Sequence, residues 1–212
     1  TAINGVPRTA ARVQLDFADI AGGSCGALLP TGSAVDQIDG IAVTMVDNGM
    51  PVVVMRATDL GITGAETPDK LDSNDALRAR LESIRLQAGQ LMGLGDVTET
   101  TVPKLTMVSP PTGDGDLSTR TFIPHRCHEA IGVLGAVSVA SAALLPGSPA
   151  ADVIRTGAGL DSIIVCEHPT GSFTATIDID TSTNPPVARR AGIIRTARKL
   201  MDAGIPVGTL VT

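Results

Sequence analysis

The sequence predicts an α+β fold in which a sheet wraps around one central, buried helix. Three observations predict it. Residues 129–145 read as one helix that after Glu129 is apolar or small on every side, with only Ser138 and Ser141 offering hydroxyls, and such a helix must be enclosed by protein. Its glycines, Gly132 and Gly135, cost roughly 1 kcal/mol each in helix propensity, a loss that makes sense if a sheet packs close against that face. Short β-rich segments stand on both sides of it in the sequence.

From Arg12 to Phe17, Val13, Leu15 and Phe17 alternate with Gln14 and Asp16, the period of a half-buried strand, and Gly22-Gly23 ends the segment. Leu29-Pro30-Thr31-Gly32 reads as a turn before an extended segment. Residues 41–46 and 51–55 are two β-rich runs joined through a tight corner at Asp47-Asn48-Gly49. Leu77, Leu81, Ile84, Ala88, Leu91 and Met92 then recur at helical spacing, with Arg78, Arg80, Glu82 and Arg85 on other faces. The spacing predicts an amphipathic outer helix, with Ser73 or Asn74 as N-cap and Gly93 or Gly95 as stop. Strands are expected at 104–108 and 118–123 across a Pro- and Gly-rich turn, and at 162–166 and 172–178 across His168-Pro169-Thr170-Gly171. Residues 146–159 and 181–186 read as loops. The end of the chain, 187–212, reads as a basic helix with an apolar seam, followed by a tail.

A chain of 212 residues at 43% hydrophobic can bury a real core. The formal charge is −6, and the basic residues are too scattered to follow a phosphate backbone, so nucleic acid is not an expected partner. Trp and Tyr are absent, which removes stacking platforms. No apolar run suits a membrane span and no signal-peptide pattern starts the chain, which places the protein in the cytosol with Cys25, Cys127 and Cys166 reduced. Cys25 and Cys166 are read as structural.

The chemistry-bearing residues cluster in the second half. His125, Arg126, Cys127 and His128 stand at the expected mouth of the buried helix, and His168 lies in a strand turn. A helix N-terminus offers unpaired N–H groups and partial positive charge, so a carboxylate binds there. In that field Cys127 is expected to have a lowered pKa and to act as base or nucleophile. The alternative is that Cys127 is packing and His128 an N-terminal cap. No metal is expected, because the three histidines lack a carboxylate at a matching helical step and a Cys pair.

The order of motifs resembles a known family. Leu29-Pro30-Thr31-Gly32, Val46-Asp47-Asn48-Gly49-Met50-Pro51, Asp59-Leu60-Gly61-Ile62-Thr63-Gly64-Ala65-Glu66, Pro124-His125-Arg126-Cys127-His128, His168-Pro169-Thr170-Gly171 and Arg195-Thr196-Ala197-Arg198-Lys199-Leu200-Met201 together look like the PrpF family of allylic isomerases. The resemblance spans essentially the whole chain. It implies a diaminopimelate-epimerase-like fold of two domains, each with antiparallel strands around a central helix, and an active site between them. Residues 1–186 would be the second domain, and the first, with the family's Lys and Cys acid/base pair, is not in this chain. The implied activity is a cofactor-independent allylic proton shift on a tricarboxylate such as 4-oxalomesaconate, with methylaconitate and methylitaconate isomerases as relatives. Site residues implied on this half are Cys127 and His128 for catalysis and Asn48, His125, Arg126, Thr170, Gly171 and Ser172 for substrate binding. Expected partners are a small polycarboxylate, the first domain and, for assembly, a further copy of the chain. A non-catalytic binding or accessory domain of the same fold is the competing expectation.

Overall fold

The computed structural model describes residues 1–159 and 162–202. Among them, nine strands form one sheet: β1 (Ala11–Asp16), β2 (Asp36–Ile38), β3 (Ile41–Asp47), β4 (Pro51–Arg56), β5 (Lys104–Ser109), β6 (Leu117–Phe122), β7 (Ile163–His168), β8 (Gly171–Asp180) and β9 (Val187–Ala197). Their spatial order is β1-β9-β8-β7-β6-β5-β4-β3-β2. The α-helices are α1 (Pro68–Asp72), α2 (Asp75–Leu91) and α3 (Val133–Ala143).

The wrapped sheet is present. Helix α3 touches β3 and β4 on one side and β7, β8 and β9 on the other, so the sheet curls round it. Val46, Val52 and Val54 meet Ala136, Val137, Val139 and Ala140 from one limb, while Ile164, Cys166, Ala175, Ile177 and Ile193 close the other. Each buried Val or Ile contributes roughly 1.5–3 kcal/mol, which outweighs the ~1 kcal/mol propensity cost of a glycine in the helix. The opposite faces of β3, β4 and β5 carry a second core: Val43, Met45, Val53, Met55, Leu105 and Met107 pack beneath Leu77, Leu81, Ile84 and Ala88 of α2. Strand β4 is therefore buried on both faces, which is why its sequence is continuously apolar rather than alternating.

Two joins in the sheet are parallel, β4 with β5 and β6 with β7; the rest are antiparallel. Each parallel join is made by a helical crossover, as its geometry requires: α1 and α2 follow β4, and α3 follows β6. The β3–β4 hairpin turns at Asn48-Gly49-Met50, where Gly49 adopts φ 89°, a conformation costly for a side chain.

Three expectations are corrected. The central helix begins at Val133 with Gly132 as its N-cap, four residues later than the apolar pattern suggested. An added Cβ at Gly132 or Gly135 would meet nothing within 4 Å, so these glycines leave the helix mouth open rather than letting strands approach. The expected basic helix over 187–212 is instead strand β9 as far as Ala197. Its Arg189 pairs with Asp180 on β8 and Arg190 with Asp16 on β1, so these charges serve cross-strand ion pairs. The tail at 203–212 lies outside the described residues.

Helix α2 starts as expected at Asn74, whose side chain accepts from Leu77 N at 3.0 Å. Its Arg85, expected on a polar face, is fully buried. Nε and Nη2 are held by Glu82 at 2.7 and 2.8 Å, and Nη1 donates to the carbonyls of Val97, Thr100 and Val102. No helix among the described residues is long and apolar enough to cross a membrane.

Candidate active site

Strands β6 and β7 pair only at Leu117↔Cys166 and Ser118↔Glu167. Beyond that point they separate, and residues 127–130 run between the end of β6 and the β7–β8 turn. His128 N donates to Thr121 O at 2.7 Å, Cys127 bridges to Phe122, and Thr170 Oγ1 donates to Glu129 O at 2.7 Å. This local geometry brings His128, His168 and Thr170 together just ahead of α3. Gly132 supplies no side-chain cap, so the first-turn N–H groups are left for another acceptor.

Within this group the histidines differ. His128 is exposed, and its Nδ1 accepts from Ala130 N at 2.9 Å, which leaves Nε2 as the donor in the neutral ring. His168 is held below its ordinary pKa, first by burial and further by the neighbouring His128 and Arg120, against backbone hydrogen bonding to Glu129 that raises it. It is therefore a neutral imidazole near pH 7.

The expected cluster is only partly assembled. Thr170 lies in the turn after His168, Gly171 and Ser172 open β8 opposite His168 and Glu167, and all three stand at the site. His125 and Arg126 do not. They are exposed on the α1–α2 side, His125 Nδ1 3.6 Å from Glu82 and Arg126 Nε 3.4 Å from Asp72. Asn48 is fully buried against the middle of α3: its backbone N donates to Ser138 Oγ at 3.1 Å and its Nδ2 to Ser141 Oγ at 2.9 Å. It fastens the β3–β4 turn to the helix.

Cys127 also departs from expectation. It stands six residues before the first residue of α3. Its thiol is pushed up to about 11, first by burial and then by Asp72, whose carboxylate accepts the Cys127 N–H at 2.6 Å. The lowered pKa anticipated for it is overturned. Among the described residues, no group of three or more His, Cys, Asp and Glu side chains is arranged to hold a metal ion.

The sequence reading missed Arg120. It is a lone cation in the middle of β6 and only 8% exposed, with Nε donating to Glu66 O at 2.7 Å and Nη1 to Thr119 O at 2.9 Å. The segment before α1 holds that acceptor in place. The Glu66 carboxylate accepts from Thr63 N, Thr63 Oγ1 and Gly64 N, and a Cβ at Gly64 (φ 86°) would stand 2.3 Å from Ser109 Oγ. A single Arg among the threonines and serine of an otherwise buried strand was the available signal.

A sheet curled round one apolar helix, with an open, histidine-flanked mouth, defines a diaminopimelate-epimerase-like domain. The structure matches a crystal structure of methylitaconate-delta-isomerase with a TM-score of 0.84 at 31% identity, covering 95% of this chain and 57% of that one. Residues 1–208 match the PrpF protein family, and the chain belongs to it. It is 54% identical over 201 residues to a (4E)-oxalomesaconate Delta-isomerase of Novosphingobium sp., covering 95% of this chain. It is 49% identical over 208 residues to a 4-oxalomesaconate tautomerase of Pseudomonas putida, covering 98% of this chain. The chain spans 56% of the length of each of these relatives.

Proposed function

We propose that this chain is the second domain of a cofactor-independent isomerase, and that it forms one wall of a cleft in which an unsaturated tricarboxylate such as 4-oxalomesaconate undergoes an allylic proton shift. A base takes a proton from carbon next to a conjugated carboxyl or keto group, the electron pair delocalises as a dienolate, and an acid returns a proton further along the chain. The atoms of substrate and product are the same. The acid/base pair belongs to the first domain in the family pattern, so the task of this wall is to bind carboxylates and steady the dienolate.

The observation that carries this reading is the gathering of His128, His168 and Thr170 ahead of the uncapped N-terminus of α3. The donors available there are His128 Nε2 and the first-turn N–H groups of α3, while Thr170 ties the β7–β8 turn to Glu129. The identity to the two oxalomesaconate enzymes exceeds that to the methylitaconate enzyme, which favours the former substrate. The test is the ultraviolet absorbance change of 4-oxalomesaconate with the protein that contains this chain together with a first domain. Turnover is expected, and His128→Ala should lower kcat/KM at least tenfold. No turnover by the unaltered protein would leave the accessory-domain reading in its place.

A further inference from the structure

The polar cavity beside Arg120 is separate from the helix mouth but adjoins it. It has a volume of about 450 Å³, and Ser118, Arg120, Glu167, His168 and Ser172 contribute to its wall. A second cavity, of about 390 Å³, reaches Ala130, Ile131 and Val133 at the start of α3, and His168 and Ser172 line both.

Arg120 is unusual among the buried cations described. Arg85, the other, has Glu82 as its counter-ion, whereas Arg120 has no carboxylate within ion-pair distance and only backbone carbonyls as acceptors. Among the described residues its Nη2 has no acceptor. The nearby Glu167 carboxylate is committed elsewhere. It accepts from Thr112 N and Oγ1, Gly113 N and Gly115 N, at 2.8 to 3.0 Å, and so holds the loop between β5 and β6. A guanidinium remains charged at any working pH, and that of Arg120, attracted by Glu66 and Glu167 but in ion-pair contact with no carboxylate among the described residues, is incompletely compensated for the cost of its burial. An anion entering this cavity would relieve that cost and gain a charge-assisted hydrogen bond.

The geometry points to a second carboxylate-binding position at Arg120, completed by Ser118 and Ser172, so that one polycarboxylate spans from the Arg120 cavity past His168 to the mouth of α3. The inference rests on the tricarboxylate reading above and deepens it. Two separated anion positions select a substrate with at least two carboxylates at opposite ends over a monocarboxylate. Arg120 thus acts as a specificity-determining contact, and the neutral His168 sits between the two charges.

The test uses the protein that contains this chain and tricarballylate, a saturated tricarboxylate that cannot undergo the reaction, with propionate as the monocarboxylate control. Calorimetric titration should show tricarballylate binding to the unaltered protein and far weaker propionate binding. Arg120→Met should weaken tricarballylate at least tenfold with the melting temperature retained. If Arg120→Met does not fold, Arg120→Gln, which keeps a donor for the Glu66 carbonyl, should show the same loss. Unchanged affinity in a folded variant, or no tricarballylate binding by the unaltered protein, overturns the proposal. The oxalomesaconate assay is scored separately: absent turnover with Arg120-dependent tricarballylate binding would reject the activity and keep this site, and turnover with Arg120-independent binding would do the reverse.

Discussion

The hydroxyl of Thr170 donates to the backbone carbonyl of Glu129 at 2.7 Å, tying the β7–β8 turn to the segment that enters the central helix. The same oxygen lies 3.3 Å from His168 Nδ1. One side chain thus sets the spacing between the two parts of the candidate site. Thr170→Val preserves shape and removes both contacts. It should cost about 0.5–1.5 kcal/mol, a fall of a few degrees in melting temperature, and raise KM for the tricarboxylate more than it lowers kcat. Steady-state kinetics on the full enzyme would check this, and an unchanged KM would show that the tie does not position the substrate.

Cys127 should be dispensable as a base or nucleophile. A thiol pushed up to about 11 by burial and Asp72 is protonated at neutral pH. Cys127→Ser is expected to leave kcat within about twofold. A loss of a hundredfold, the scale of a missing general acid or base, would return Cys127 to the chemistry.

Glu167 makes stability depend on pH. Burial alone would raise its carboxyl, but the N–H groups of Thr112, Gly115 and Gly113 outweigh burial and hold it below the ordinary 4.5. A carboxyl lowered on folding stabilises the native state fully above its unfolded pKa and loses that contribution as pH falls through the folded value. Glu167→Gln should therefore melt well below the unaltered protein at pH 7, with the gap closing below about pH 4.5. Thermal melts across that range would decide it, and a gap independent of pH would assign the loss to packing.

Removing Glu82 should be costly although its partner His125 is not needed. Glu82→Ala deprives the fully buried Arg85 of its counter-ion, a loss of about 3 kcal/mol on the usual scale for a broken buried pair. His125, exposed and 3.6 Å from the same carboxylate, should tolerate alanine within about 0.5 kcal/mol. Urea unfolding of both variants provides the comparison.

Periodicity made most elements visible in the sequence. The β3–β4 hairpin, the Asn74 cap and the amphipathic α2 follow from local pattern. The apolar run after Glu129 announced a buried helix because no exposed face was available. Its start differs from the pattern because residues 130–132 are as apolar or small as the helix that follows, while the conformation of the segment from Glu129 is fixed by distant contacts such as Thr170 with Glu129. Strand β9 was read as a helix because Ile193, Ile194 and Ala197 suit either period, and the Asp partners that place Arg189 and Arg190 in a sheet are remote in sequence or on another strand. The grouping of the site had the same difficulty. His125 and His128 are three residues apart but stand on opposite sides of the segment, whereas His168 reaches His128 through strand topology.

Among the described residues, strand β1 has only β9 as a neighbour in the sheet, and β9 is the last strand. On a ribosome, β1 is made long before β9 and waits without it while the residues between them are synthesised. Such pairing adds strongly to contact order and slows completion of the fold. Until residues 187–197 emerge, β8 also presents an open edge able to recruit another chain. During that interval the edges of β1 and β8 are both open to pairing with another chain.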